Sequence, residues 1–404
     1  MSSSKLPSPS FLSRGTSRRS FLRYAGLTAA AMPIMTEGRL AWAAQQQTQD
    51  QTRARGNRPQ PVADLNGNPP VMINANENPL GPCQSALSAI DSSALTGGRY
   101  DANGGLDKLV ALLSKQMGVP GDHIAVYAGS SEPLHFTVLA FTSDTKPYVT
   151  ADPSYEAGMW AALAAGAKIS KWPLTEINAH DVKAMVNGSP TAGVFYICNP
   201  NNPTGTLTPK EDIVWAAKNK PKDSVLLVDE AYIHLSDAPS CIDLVQQGQD
   251  VILLRTFSKV YGMAGIRCGV AFGRPDLLAK LQRFGMNPLP VTAVNAATAS
   301  LSEAELVATR KKIIADTRNA TFKWLESKGY KFIPSVSNCF MIDTGRPGKE
   351  IIAAMQQHNV FIGRTWPVWP NHVRVSVGTP AEMAAFQTAF EAVMSAPATK
   401  PATA

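Results

Sequence analysis

Thr256-Phe257-Ser258-Lys259-Val260-Tyr261-Gly262-Met263-Ala264-Gly265-Ile266-Arg267-Cys268-Gly269 is the stretch that decides how this chain is read. An apolar run, 251–255, leads into it, and a second, 268–272, closes it. A lysine therefore leaves a strand directly, with Thr256 and Ser258 on its N-terminal side. A glycine-spaced turn then carries the chain to Arg267. A lysine amine becomes a nucleophile and Schiff-base former when desolvation or a nearby cation lowers its pKa. Hydroxyls and an arginine are suited to a phosphate. Alone, the segment also reads as a surface lysine on a glycine-rich loop, so the decision rests on its surroundings.

Working outward, short apolar runs alternate with helical patterns. Strands are expected at 123–129, 147–151, 168–173, 193–198, 225–229, 251–255 and 268–272, with helices at 134–142, 155–165 and 210–219 between several of them. Such alternation predicts an α/β fold built on a mostly parallel, seven-stranded sheet. After Pro290 the pattern changes. One long helical stretch covers 303–328, short strands follow near 331–333, 338–342 and 373–377, and helices near 349–358 and 380–394. This predicts a smaller α+β domain at the C-terminus. The expected boundaries are an N-terminal arm at 71–98, a large domain at 99–300 and a small domain at 301–396.

Four further clusters fall at expected strand ends, where open α/β sheets place ligands. In Val228-Asp229-Glu230-Ala231-Tyr232 an acid ends a buried strand and needs a partner. A protonated pyridine nitrogen would serve, and so would an arginine or a turn N–H. Cys198-Asn199-Pro200-Asn201-Asn202-Pro203-Thr204-Gly205 is a loop stiffened by prolines, able to aim an Asn at a ligand oxygen or to be only a turn. Gly129-Ser130-Ser131-Glu132-Pro133 joins a strand to a helix start, which suits either phosphate binding or simple N-capping. Arg374, in Val373-Arg374-Val375-Ser376, could capture a carboxylate or sit exposed on an edge strand.

Charge and cysteines exclude other classes. The net charge is +7, but Lys5, Arg14, Arg18, Arg19, Arg23 and Arg39 stand against Glu37 alone in residues 1–44. The excess is thus mostly in the leader, and no basic block suggests a nucleic-acid partner. Five cysteines without close pairs suit neither a disulfide framework nor a metal site. The leader itself has a charged start, an apolar middle of about 24–35 and Ala41-Trp42-Ala43. Ser17-Arg18-Arg19-Ser20-Phe21-Leu22 resembles a twin-arginine signal, which implies the folded-protein export machinery as a partner and a periplasmic destination. Residues 45–70, rich in Gln, Pro and Gly, read as a disordered linker.

Taken together and in this order, NPNNPTG, DEAY and SKVYGMAGIRCG resemble the class I/II aminotransferases of the fold-type I group, which depend on pyridoxal 5'-phosphate (PLP). Asn74-Ala75-Asn76-Glu77-Asn78-Pro79, Gly98-Arg99-Tyr100 and Asn338-Cys339-Phe340 are similar to the histidinol-phosphate aminotransferases among them. The resemblance runs from about residue 70 to the C-terminus. It implies an enzyme moving an amino group between an amino acid or amine and a 2-oxo acid, with Lys259 carrying PLP as a Schiff base. It implies that Asp229 pairs with the pyridine nitrogen, that Asn202 and Tyr232 bond the ring oxygen, and that Tyr155 stacks on the ring. Ser130, Ser131, Thr256, Ser258 and Arg267 would hold the phosphate. Tyr100 would reach the cofactor of a neighbouring subunit, so a homodimer is implied. Arg374 would bind the acidic group of the substrate, and Arg364 matches an arginine used for substrate phosphate. The scaffold also supports a PLP-dependent lyase, cyclase or oxidase, or a ligand sensor, since fold does not fix which bond is broken. An exported chain, moreover, leaves the compartment of histidine synthesis, so the fold and cofactor transfer better than the substrate.

Overall fold

The computed structural model describes residues 69–101, 103–285 and 288–397. The export signal expected in 1–44 and the linker expected in 45–70, apart from Pro69 and Pro70, lie outside the described residues. Within them the strands are β1 (Val71–Ile73), β2 (Ile124–Tyr127), β3 (Tyr148–Asp152), β4 (Ile169–Pro173), β5 (Val194–Cys198) and β6 (Val225–Asp229). These are followed by β7 (Val251–Thr256), β8 (Gly269–Phe272), β9 (Lys331–Ile333), β10 (Cys339–Asp343), β11 (Val360–Ile362) and β12 (His372–Ser376).

Seven of these form one sheet in the order β2-β8-β7-β6-β5-β3-β4. All seven are the strands expected from the apolar runs, with ends shifted by no more than a residue or two. Pairs from β4 through β7 are parallel, and β8 alone runs against its neighbours β7 and β2. The apolar runs are continuous because both faces are covered. Phe195, Ile197, Leu226, Val228, Val251 and Leu253 point into one core. Val194, Tyr196, Val225, Leu227, Ile252 and Leu254 point into the other, where Leu134 and Val138 of helix Ser131–Phe141 cover them. The period of two then puts Cys198, Asp229 and Thr256 on this second face, at the ends of their strands.

The C-terminal part carries a three-stranded antiparallel sheet, β12-β10-β9, with helices Gly348–Gln357 and Pro380–Ser395. Thr379 and Glu382 cap the last helix reciprocally, a sequence-legible start signal. The helix expected over 303–328 is Leu306–Ser327, and a further helix that the pattern did not announce, Val291–Ser302, precedes it and packs against helix Gln84–Ala94. Glu303, with ψ of 99°, breaks the path between them. Strands β1 and β11, too short to announce themselves, pair in parallel and tie the N-terminal arm to the C-terminal part.

The adjacent acids Asp229, which ends β6, and Glu230, which follows it, divide their work. Glu230 is 1% exposed and paired with Arg255 at 2.8 Å, with Cys241 N–H and Ser240 Oγ also donating to it. Removing one member of a buried, hydrogen-bonded pair strands the other. Arg255→Ala should therefore destabilise the chain by about 3–5 kcal/mol in chemical unfolding; a loss of a few tenths would mean that water reaches Glu230.

Candidate active site

The reversal of β8 assembles the site. Strands β2 and β7 end, and β8 begins, at one edge, with Tyr127 and Thr256 both in register with Gly269. The loops 128–131, 256–259 and 264–268 consequently meet there, although the sheet order separates β2 from β7. Close backbone approach is built in. A Cβ on Gly269 would stand 2.3 Å from Ser130 N, and one on Gly129 would stand 2.1 Å from Arg267 Nη2. Gly129 thus lets the guanidinium lie over the loop, where Arg267 Nη1 donates to Ala264 O at 2.8 Å. Arg267 itself is held at φ 74°, a left-handed conformation that non-glycine residues adopt at a cost of about 1–3 kcal/mol.

Ser130 caps helix Ser131–Phe141 by position but makes no side-chain capping bond, so the simple N-capping alternative is not what its hydroxyl does. Thr256 Oγ1 donates to Ser258 Oγ at 2.9 Å and accepts from Ser258 N at 3.1 Å. Two serines at a helix start, two further hydroxyls and one guanidinium line this end of the site. A helix N-terminus with such neighbours attracts an anion.

Lys259 is partly buried, and its Nζ donates to the carbonyl oxygen of Asn76 at 2.9 Å. Its Nζ also lies 5.4 Å from the centroid of the Tyr232 ring. Burial first, and the Arg374 guanidinium second, pull its pKa down to about 8. Asp229 is 3% exposed and, unlike Glu230, pairs with no arginine among the described residues. The Tyr196 hydroxyl donates to Oδ2 at 2.9 Å and the Ala231 N–H to Oδ1 at 3.1 Å. Burial pushes its pKa up to about 6 against those donors.

Asn76, at φ 54°, joins the rest. Its Nδ2 donates to Tyr232 Oη at 3.0 Å and lies 3.4 Å from Asn202 Oδ1. Its backbone N–H donates to Ser376 Oγ at 2.8 Å. Arg374 is buried, not the exposed edge arginine that its strand pattern allowed. Its Nη1 donates to Asn202 Oδ1 at 2.9 Å and its Nη2 to Asn74 O at 2.8 Å, while Nε has no partner among the described residues. Asn202, Tyr232, Lys259 and Arg374 are thus one network. The loop holding Asn202 needs Gly205, where a Cβ would fall 1.8 Å from Ser335 Oγ.

Tyr155 is half-buried, and the carbonyl of the preceding Ser154 accepts from the Trp366 indole N–H at 3.2 Å. Arg364 stacks on Trp366 at 4.6 Å and pairs with Glu156. Tyr100 is 86% exposed, and the chain does not bring it to its own site. Sequence reasoning gave no role to Asn76, Tyr196 or Glu156. Tyr196 looks like one more core aromatic, and only its register two residues before Cys198 places it toward Asp229.

The profile of the family "Aminotransferase class I and II" matches residues 69–390. The chain belongs to this family. It is 31% identical to the histidinol-phosphate aminotransferase of Symbiobacterium thermophilum over 331 residues, 80% of this chain and 90% of that one. It is 33% identical to the aromatic amino acid aminotransferase of Rhodococcus jostii, over 78% of this chain and 88% of that one. The histidinol-phosphate aminotransferase of Sinorhizobium meliloti, solved in complex with pyridoxal 5'-phosphate, superposes with a TM-score of 0.72 at 27% identity, covering 80% of this chain and 90% of that one.

This aminotransferase depends on PLP, and its residues fit that group. The buried Asp229 carboxylate lacks the cation that a protonated pyridine nitrogen would supply, and the cradle of Gly129, Ser130 and Arg267 suits a phosphate. The Lys259 amine should be free to react above about 8, well below the value of a solvated lysine. The rate at which cofactor-free protein captures PLP, followed by absorbance, should accordingly rise as pH climbs through that value. A rate that climbs only near pH 10 would show the amine to be solvated.

Proposed function

We propose that the aminotransferase runs its chemistry through Lys259, with each remaining residue holding one end of one small molecule. The observation that carries this is the split of the adjacent acids: Glu230 takes Arg255, which leaves Asp229 buried and without a cation beside the lysine network. PLP, when bound, supplies the electron sink that makes the substrate Cα proton acidic.

The chain's own groups do the rest. Asp229, held by Tyr196 and Ala231, would pair with the ring nitrogen, and its negative charge would favour the protonated form of that nitrogen. Asn202 spends its carbonyl oxygen on Arg374, which leaves its Nδ2 to donate to the ring oxygen beside the Tyr232 hydroxyl. Tyr155 covers the ring. Ser130, Ser131, Thr256, Ser258 and Arg267 take the phosphate. Arg374, fixed by Asn74 and Asn202, takes the donor's carboxylate and so sets its Cα near Lys259. A Lys259 amine with a lowered pKa is suited to accept the Cα proton and return it elsewhere.

The donor is an amino acid or related amine and the acceptor a 2-oxo acid; the relatives named above act on histidinol phosphate and on aromatic amino acids. The exposed Tyr100 supports a homodimer in which it completes the site of the partner subunit. Lys259→Ala should then lose all turnover and Tyr100→Ala most of it. Mixing the two variants after reversible dissociation should restore up to about a quarter of wild-type activity, because one hybrid site receives both intact residues. No recovery on mixing would place Tyr100 outside the partner's site.

Residues 1–44 remain our proposed twin-arginine export signal. The mature chain should appear in the periplasmic fraction and lose that position when Arg18 and Arg19 are both replaced by Lys. Recovery of wild type from the cytosol alone would overturn export.

A further inference from the structure

Arg364 does not stand free as an anion receptor. It is ion-paired to Glu156, and its guanidinium carbon lies 4.6 Å from the centroid of Trp366. Arg374 lies against the same ring at 5.6 Å, so the two arginines share one buried aromatic between them. Glu156 directly follows Tyr155 and occupies the N-cap of helix Ala157–Ala164. From that position a carboxylate can cap the open N–H groups of its own helix. It makes no such bond and turns to Arg364 instead. The pair is only partly exposed, with side-chain accessibilities of 19% for Glu156 and 48% for Arg364. It is therefore part of the substrate end of the site as well as of its rim.

A donor whose side chain ends in a phosphate or carboxylate must either displace Glu156 from Arg364 or lie beside it as a second negative charge. Like charges brought together at a binding surface select against the ligand that brings them. A donor with an uncharged side chain meets the neutralised pair and the apolar indole without that conflict. We propose that Glu156 is a specificity-determining residue that tunes this aminotransferase to donors with uncharged side chains and against phosphorylated or dicarboxylic ones. It acts through Arg364 and not on the reacting atoms. The inference rests on the reading of Arg374 as the receptor for the donor's carboxylate. Donor and acceptor use the same site in turn, as ping-pong kinetics requires, so the filter also favours pyruvate over 2-oxoglutarate as acceptor.

The test is steady-state kinetics of the full-length, PLP-loaded protein with L-phenylalanine, L-glutamate and histidinol phosphate. Wild type should favour phenylalanine in kcat/KM. Glu156→Gln should raise kcat/KM for both anionic donors by about tenfold or more, with the change falling on KM. Adding Arg364→Gln to that variant should remove the gain, and cofactor absorbance reports that each variant folds and loads. The proposal is overturned if wild type prefers histidinol phosphate. It is equally overturned if Glu156→Gln leaves the donor ratio unchanged, or if the gain survives loss of Arg364. Wild type that binds PLP but turns over no donor would instead overturn the site reading beneath it.

Discussion

A carboxylate at the end of a strand buried on both faces is costly unless something positive answers it, and Asp229 carries that constraint in this structure. Burying the sheet on both sides demands apolar side chains from Val194 to Ile197 and from Val225 to Val228. Polar groups are thereby pushed to the carboxyl ends, where the chain leaves the core. Of two consecutive acids at one strand's end, Glu230 is answered from within by Arg255, Ser240 and the Cys241 N–H. Asp229 receives neutral donors only. Asp229 is therefore left as a buried carboxylate that a PLP pyridine nitrogen would complete.

The second constraint is distance along the chain. Lys259 and Asn202 follow the ends of separate strands, Arg374 lies in the middle of β12, and Asn76 comes from the arm before any of them. Asn76 binds Lys259 through its carbonyl, Tyr232 through its amide and Ser376 through its N–H. The pairing of β1 with β11 holds this arm in place, so a three-residue strand positions a residue that touches most of the network. Positive φ at Asn76 and at Arg267 shows where the backbone has been bent to serve these contacts.

These same facts explain what could be read without coordinates. The central strands β5, β6, β7 and β8 were legible because burial on both faces leaves apolar runs, while the edge strand β4, Ile169–Pro173, shows a mixed pattern. Lys259, Asp229, Asn202 and Arg267 were legible because each sits near an end of such a run. Strands β1 and β11, three residues each, carry too little pattern to stand out. Arg374 could not be told from an exposed edge arginine, because its burial comes from Asn74 and Asn202, residues remote in sequence. Tyr196 and Glu156 act through long-range partners, and no local pattern separates them from a core aromatic or a helix-start acid.

The two central ionisable groups move in opposite directions for one reason. Burial lifts Asp229 to about 6 and lowers Lys259 to about 8, each toward its uncharged form. The opposite charge that each feels from the other favours the ionised form of both. Here desolvation outweighs that attraction, and Arg374 adds its positive charge against the lysine. The lysine is thus kept closer to the neutral amine that its chemistry requires. A cofactor with a cationic ring and an anionic phosphate reverses the balance at the other two points. It would give Asp229 a counter-charge and Arg267 an anion. A molecule with those two charged ends would answer Asp229 and Arg267 together, beside the lysine it reacts with.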